Sequence, residues 1–98
     1  MTFSVHLEHP VPDYEAWKAA FDADPLDRAG SGVLAYRVLR PVEDHGRVAV
    51  DLEFADRESA ERFSASLRRL WSTSGAMAIM RDPVVRIEDV AEARRLAG

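Results

Sequence analysis

Residues 47–54 read Arg47-Val48-Ala49-Val50-Asp51-Leu52-Glu53-Phe54. Val48, Val50, Leu52 and Phe54 alternate with Ala49, Asp51 and Glu53. A period of two is the mark of a strand with one apolar and one polar face. Upstream, Pro41 to Gly46 is turn-forming, with Asp44-His45-Gly46 at its tip. Before it, Val33 to Arg40 is rich in strand-forming residues, so the two runs predict a hairpin. Downstream, Asp56 is placed to cap a helix whose apolar stripe is Ala60, Phe63, Leu67, Leu70 and Trp71. Ser72-Thr73-Ser74-Gly75 ends that helix.

The same reading extends to both ends of the chain. Phe3, Val5 and Leu7 alternate with Ser4, His6 and Glu8, a strand that Pro10 and Pro12 should stop. Asp13 is an N-cap for a helix from Tyr14, with Tyr14, Trp17 and Phe21 on one face. Asp24-Pro25 ends it, and Pro25 to Gly32 is a loop. Ala76 to Met80 is apolar but too short to classify, and Asp82-Pro83 breaks the chain again. Val84 to Val90 is a fourth strand, and Ala91 to Ala97 is either a last helical turn or a frayed tail. The order strand, helix, strand, strand, helix, strand predicts an α+β, ferredoxin-like βαββαβ plait. It places a four-stranded antiparallel sheet under two helices packed on one face. The 98 residues are expected to form one domain, 1–98.

Bulk composition narrows the function. The chain is 47% hydrophobic and 31% charged, ordinary globular usage that speaks against disorder. Its net charge of −4 works against phosphate backbones, so no nucleic acid partner is expected. The absence of cysteine removes disulfides, thiolate metal sites and cysteine nucleophiles. Residues Met1 to His6 lack a basic segment followed by an apolar stretch, and no apolar run is long enough to span a bilayer. A cytoplasmic protein without a membrane partner is the expectation. No serine sits in a nucleophile elbow, and Gly30-Ser31-Gly32 leads into a strand rather than a phosphate-binding helix.

Two helices can cover only one face of the sheet. Phe3, Val5 and Leu7, with Val48, Val50, Leu52 and Phe54, belong under them. The open face then carries Ser4, His6, Glu8, Ala49, Asp51, Glu53, Arg86 and Glu88. The second strand is apolar on both sides; Tyr36 and Val38 are expected inward and Arg37 outward. Ala35 and Leu39 would then be exposed in a monomer, which favours a sheet-to-sheet contact with another copy. His6, Glu8, Asp51 and Glu53 offer the mixed donors a divalent metal takes. Their spacing is not specific, and Arg37 and Arg86 stand ready to neutralise the same acids, so no metal is expected. Carboxylates at Asp51 and Glu53 also speak against base stacking of the RNA-recognition type.

The segment His9-Pro10-Val11-Pro12-Asp13-Tyr14-Glu15-Ala16-Trp17-Lys18-Ala19-Ala20-Phe21-Asp22 resembles the opening of small proteins of the dimeric α+β barrel superfamily, in its antibiotic biosynthesis monooxygenase-like and cyclase-like groups. The resemblance continues through Gly32-Val33, the hairpin and Leu52 to Phe63, and covers about residues 5–90. It implies a protomer that pairs sheet to sheet into a homodimer, closing a barrel between subunits. It implies a pocket between sheet and helices, and, where members are enzymes, oxidation of aromatic polyketide-like substrates by oxygen without metal or flavin. Other members degrade haem through a helix-borne histidine. The histidines here are His6, His9 and His45, none on the second helix, so no haem or other cofactor is expected. The tip of the turn, Asp44-His45-Gly46, departs from the asparagine-containing tip often seen in such proteins. No catalytic residue carries over.

The candidate ligand-binding residues are Trp17, Tyr36, Phe63 and Trp71, with His6 as a proton acceptor. The tryptophans either stack on a planar, small apolar or aromatic ligand or simply fill the core. Tyr36 either offers its hydroxyl to a pocket or is an ordinary core tyrosine. His6 is otherwise a paired interface residue. Met77 and Met80 would line a pocket or close the core, and His9 is expected to bond backbone near the start of the first helix. The alternative to an enzyme is a non-catalytic small-molecule-binding or structural dimer of the same fold.

Overall fold

A computed structural model describes residues 1–76 and 80–97. The elements are β1 (Phe3–Pro10), α1 (Tyr14–Asp22), β2 (Val33–Leu39), β3 (Arg47–Phe54), α2 (Arg57–Ser74) and β4 (Val84–Asp89). They form one antiparallel sheet in the order β2-β3-β1-β4. The βαββαβ plait read from the sequence is the observed fold. The tail is without regular structure from Ala91 to Ala97.

Parity sets the two faces. Val5 pairs with Leu52 and Leu7 with Val50, which puts the two apolar rows side by side under the helices. Val5, Val48, Val50 and Phe54 are fully buried there, together with Ala60, Phe63 and Trp71 from α2. Phe54 meets Phe63 with ring centroids 5.4 Å apart. Each fully buried side chain of this size contributes about 1.5–3 kcal/mol, so the α2–sheet layer is the stable half of the molecule.

The caps lie where the sequence puts them. Asp13 accepts a hydrogen bond from the Ala16 amide at 3.2 Å, and Asp56 from the Ser59 amide at 2.7 Å. Gly75 closes α2 at φ 78°, the left-handed region that glycine enters without a Cβ penalty.

Two features differ from the sequence reading. β1 runs two residues past Glu8, and His9 and Pro10 pair with Val48 and Arg47. Proline is tolerated at that last position because the pairing with β4 has already ended at Glu8. On β2, a bulge at Leu34 shifts the register between Val33 and Ala35. β2 is an edge strand, so Tyr36 faces the helix side opposite Leu52 yet stays 47% exposed. Leu39 is exposed on the open face, as expected.

Candidate functional site

α1 has no buried residue. It is nine residues long, and the rings of Tyr14, Trp17 and Phe21 follow one another along its length with centroids 5.8 and 5.1 Å apart, Trp17 and Phe21 packing against the core. These rings hold α1 off the sheet. The gap is a cavity of about 640 Å³ between α1, α2 and the sheet. Leu7, His9 and Leu52 form its floor, Trp17 and Phe21 line the α1 side, and Phe63, Leu67 and Trp71 line the α2 side. Met80 is buried and adds to the lining, while Met77 lies outside the described residues. The linker into α1 is tied to the hairpin turn by the Val11 amide, which donates to the Gly46 carbonyl at 2.7 Å. At the far end the Arg28 guanidinium sits 4.0 Å above the Phe21 ring and donates to the Phe21 carbonyl at 2.8 Å.

The polar feature of the floor is His9. It continues the row Val5, Leu7 on the helix side and is 1% exposed. Its Nδ1 lies 2.9 Å from the Pro10 carbonyl. A carbonyl only accepts, so Nδ1 carries the proton and donates. Nε2 is then a bare acceptor, without a hydrogen-bond partner among the described residues. The ring lies edge-on between Trp17 and Trp71, at 6.0 and 6.1 Å, one from each helix. Burial pushes its pKa below the ordinary histidine value, more than the Pro10 hydrogen bond raises it. His9 is therefore neutral at pH 7. Its backbone bond agrees with the sequence expectation; its place on the cavity floor was not foreseen. The signal was the alternation itself, which runs on from Leu7 to His9 if the strand is not stopped at Glu8.

The opposite face of the sheet is a charged network. His6 Nδ1 lies 2.6 Å from Asp51 Oδ1, and Nε2 lies 3.3 Å from Glu8 Oε1. Arg47 reaches Glu8 at 3.3 Å and Arg37 reaches Asp51 at 3.4 Å. Burial alone lowers the His6 pKa, but the hydrogen bonds to Asp51 and Glu8 and the Asp51 charge together outweigh it and raise the value. Glu8 is correspondingly lowered, by His6 first and Arg47 second. Among this ring of charges lie the apolar side chains of Ala35, Leu39 and Val84.

Of the five candidate ligand residues, Trp17, Phe63 and Trp71 come together around the cavity. Tyr36 and His6 do not. Tyr36 stays outside on the edge strand, 5.3 Å edge-on to Phe21 and 4.9 Å beneath Arg28. His6 differs in parity from His9 and so belongs to the other face. Both ring nitrogens of His6 are already engaged by carboxylates, which makes it a paired histidine of the open face rather than a cavity base.

Several solved structures share this architecture. One is a point mutant of SnoaB, a cofactor-independent oxygenase from Streptomyces nogalater, 12% identical over 94% of each chain with a TM-score of 0.71. The chain has the same ferredoxin-like fold. A second is a putative antibiotic biosynthesis monooxygenase from Nitrosomonas europaea, 14% identical, covering 92% of this chain and 90% of that one, TM-score 0.70. A third is a dimeric ferredoxin-like protein from an uncultured marine organism, 12% identical, covering 96% and 92%, TM-score 0.70. These are the kinds of protein whose resemblance the His9–Asp22 segment carries, and at such identities the likeness establishes the fold. No family model and no curated protein matches the chain. Among the described residues no helix is long and apolar enough to cross a membrane.

Proposed function

We propose that this chain forms a homodimer through its open sheet face. Each protomer would hold one small aromatic, polyketide-like molecule in its cavity and oxidise it with dioxygen, without metal or flavin. The observation that carries the reading is the cavity itself. Its volume of about 640 Å³ lies within the roughly 300–1,000 Å³ common for ligand sites. Its aromatic walls, Trp17, Phe63 and Trp71, suit a planar apolar body.

Oxygenation without a cofactor requires the substrate to supply every electron. A methylene activated by an adjacent ring and carbonyl does so on becoming a carbonyl. One atom of dioxygen enters the product, and the other leaves as water with the two hydrogens. The chain would contribute positioning and exclusion of water, both of which favour an apolar enclosure. For the dimer, Ala35, Leu39 and Val84 supply apolar contact on a face whose charges are already paired across strands.

The test is a titration of a panel of aromatic polyketides, read by tryptophan fluorescence and by an oxygen electrode. Saturable quenching with one dioxygen consumed per product formed is the expected result. Quenching without oxygen uptake assigns the chain to the non-catalytic binding alternative. Neither response to any planar ligand overturns the reading.

A further inference from the structure

Most of the cavity wall's polar side chains other than the two tryptophans already hold partners of their own. Asp13 Oδ1 holds the Ala16 amide, and Asp24 Oδ1 holds the Arg28 amide at 2.9 Å. The Ser74 hydroxyl donates to the Trp71 carbonyl and the Arg28 guanidinium to the Phe21 carbonyl. Asp13, Asp24 and Ser74 lie towards the solvent side, not on the floor. His9 Nε2 is different. It belongs to a side chain 1% exposed, at the cavity floor, held by tryptophans of both helices, and it has no partner among the described residues.

An acceptor at the floor of an apolar cavity gains most when a ligand's donor meets it in place of water. The Nδ1–H···O bond to Pro10 fixes the tautomer, so Nε2 can accept and cannot donate. A ligand that satisfies it must bring an O–H or N–H. A ketone or carboxylate turned to the same atom meets lone pair with lone pair. The remaining lining near His9 is Leu7, Trp17, Leu52, Phe63 and Trp71; its polar groups are the two indole N–H donors, so no second side-chain acceptor there competes with Nε2 for a donor on an aromatic ligand.

We propose that the cavity selects hydroxyaromatic molecules, and that the ligand's phenolic O–H donates to Nε2 of His9. This rests on the cavity being the ligand site and adds the ligand's chemical class and the residue that reads it. The same atom is placed to take that proton during turnover, since a neutral imidazole is a competent base. Burial keeps His9 neutral near pH 7, which preserves the bare lone pair.

The probes are β-naphthol, its methyl ether and naphthalene, measured by calorimetry with the full chain. β-Naphthol is expected to bind about tenfold more tightly than either of the others, the size of one net hydrogen bond. The preference should collapse in His9→Phe, which keeps a ring and removes the acceptor, and persist in His9→Gln, whose amide oxygen can replace Nε2. Should His9→Phe not fold, the wild-type protein still decides: the nitrogen resonance of His9 Nε2 should shift with β-naphthol and not with the ether. Binding should weaken as pH falls through the lowered His9 pKa, where Nε2 is protonated. Equal binding of all three probes overturns the role of His9 and leaves the cavity as a ligand site. Binding of none overturns both.

Discussion

Trp17 and Trp71 both line the cavity, but they sit in different halves of the molecule, and their truncation should cost very different amounts. A fully buried tryptophan removes about 150–250 Å² from water. At about 25 cal/mol per Å² that is roughly 4–6 kcal/mol. Trp71 is 7% exposed and belongs to the α2 core with Phe63 and Phe54. Trp71→Ala should therefore cost about 3–5 kcal/mol, in the range of other large-to-small core changes. Trp17 is only half-buried, on a helix with no buried residue, and part of its surface faces the cavity instead of packed atoms. Trp17→Ala should cost about 1–2 kcal/mol, because the contacts a void withholds cannot be lost. The assay is urea unfolding followed by circular dichroism, with protein concentration fixed since a dimer's stability depends on it. A slope of roughly 1–1.5 kcal/mol/M is reasonable for a chain of this size. The Trp71→Ala midpoint should then fall by roughly 2–5 M and the Trp17→Ala midpoint by roughly 0.7–2 M. Equal losses would mean that α1 is packed as tightly as α2 and that no ligand-sized space separates it from the sheet.

Three further outcomes follow from the two faces and the caps. The raised pKa of His6 means its contribution to stability is complete below its unfolded value near 6.5 and is lost as pH rises through the raised value; His9, lowered by burial, contributes above 6.5 and loses that contribution as pH falls through its folded value. Thermal unfolding across pH should thus lose its alkaline decline in His6→Gln and its acid decline in His9→Gln. Leu39→Asp, on the open face beside Ala49, should convert a dimer of about twice 11.0 kDa to single chains by light scattering while leaving circular dichroism unchanged; a wild-type protein already at 11.0 kDa defeats the dimer. Asp56→Ala should cost about 0.5–2 kcal/mol in urea unfolding by freeing the Ser59 amide, and no loss would mean the cap is idle.

Most of the fold was legible because it is written in parity. The alternations at 3–7 and 48–54 fix which side chains lie under the helices, and Asp13, Asp56 and Gly75 mark helix ends by local chemistry alone. Trp17, Phe63 and Trp71 were legible as ring-bearing positions on helix faces turned to the sheet. That they enclose space, and are not simply core, was not legible, because a helical stripe looks the same over a packed core and over a void. His9 does not read as a floor residue because a proline ordinarily ends a strand, whereas Pro10 sits where β1 has lost one neighbour and can do without its donor. Tyr36 kept the parity expected of it, but an edge strand with a bulge cannot bury what a central strand would. The chemistry of His6 suits a ligand site, but parity puts it with Asp51 and Glu8 on the other side of the sheet.

A crystal of the protein soaked with β-naphthol addresses the account at its root, since it reports both where a planar molecule settles and which atom holds it. Density for the ring in the cavity against Trp17 and Trp71, with its oxygen about 2.7–3.0 Å from His9 Nε2, is the expected result. A ring found only on the outer surface or against the His6 face, with the space beneath α1 filled by the protein's own side chains, would contradict it.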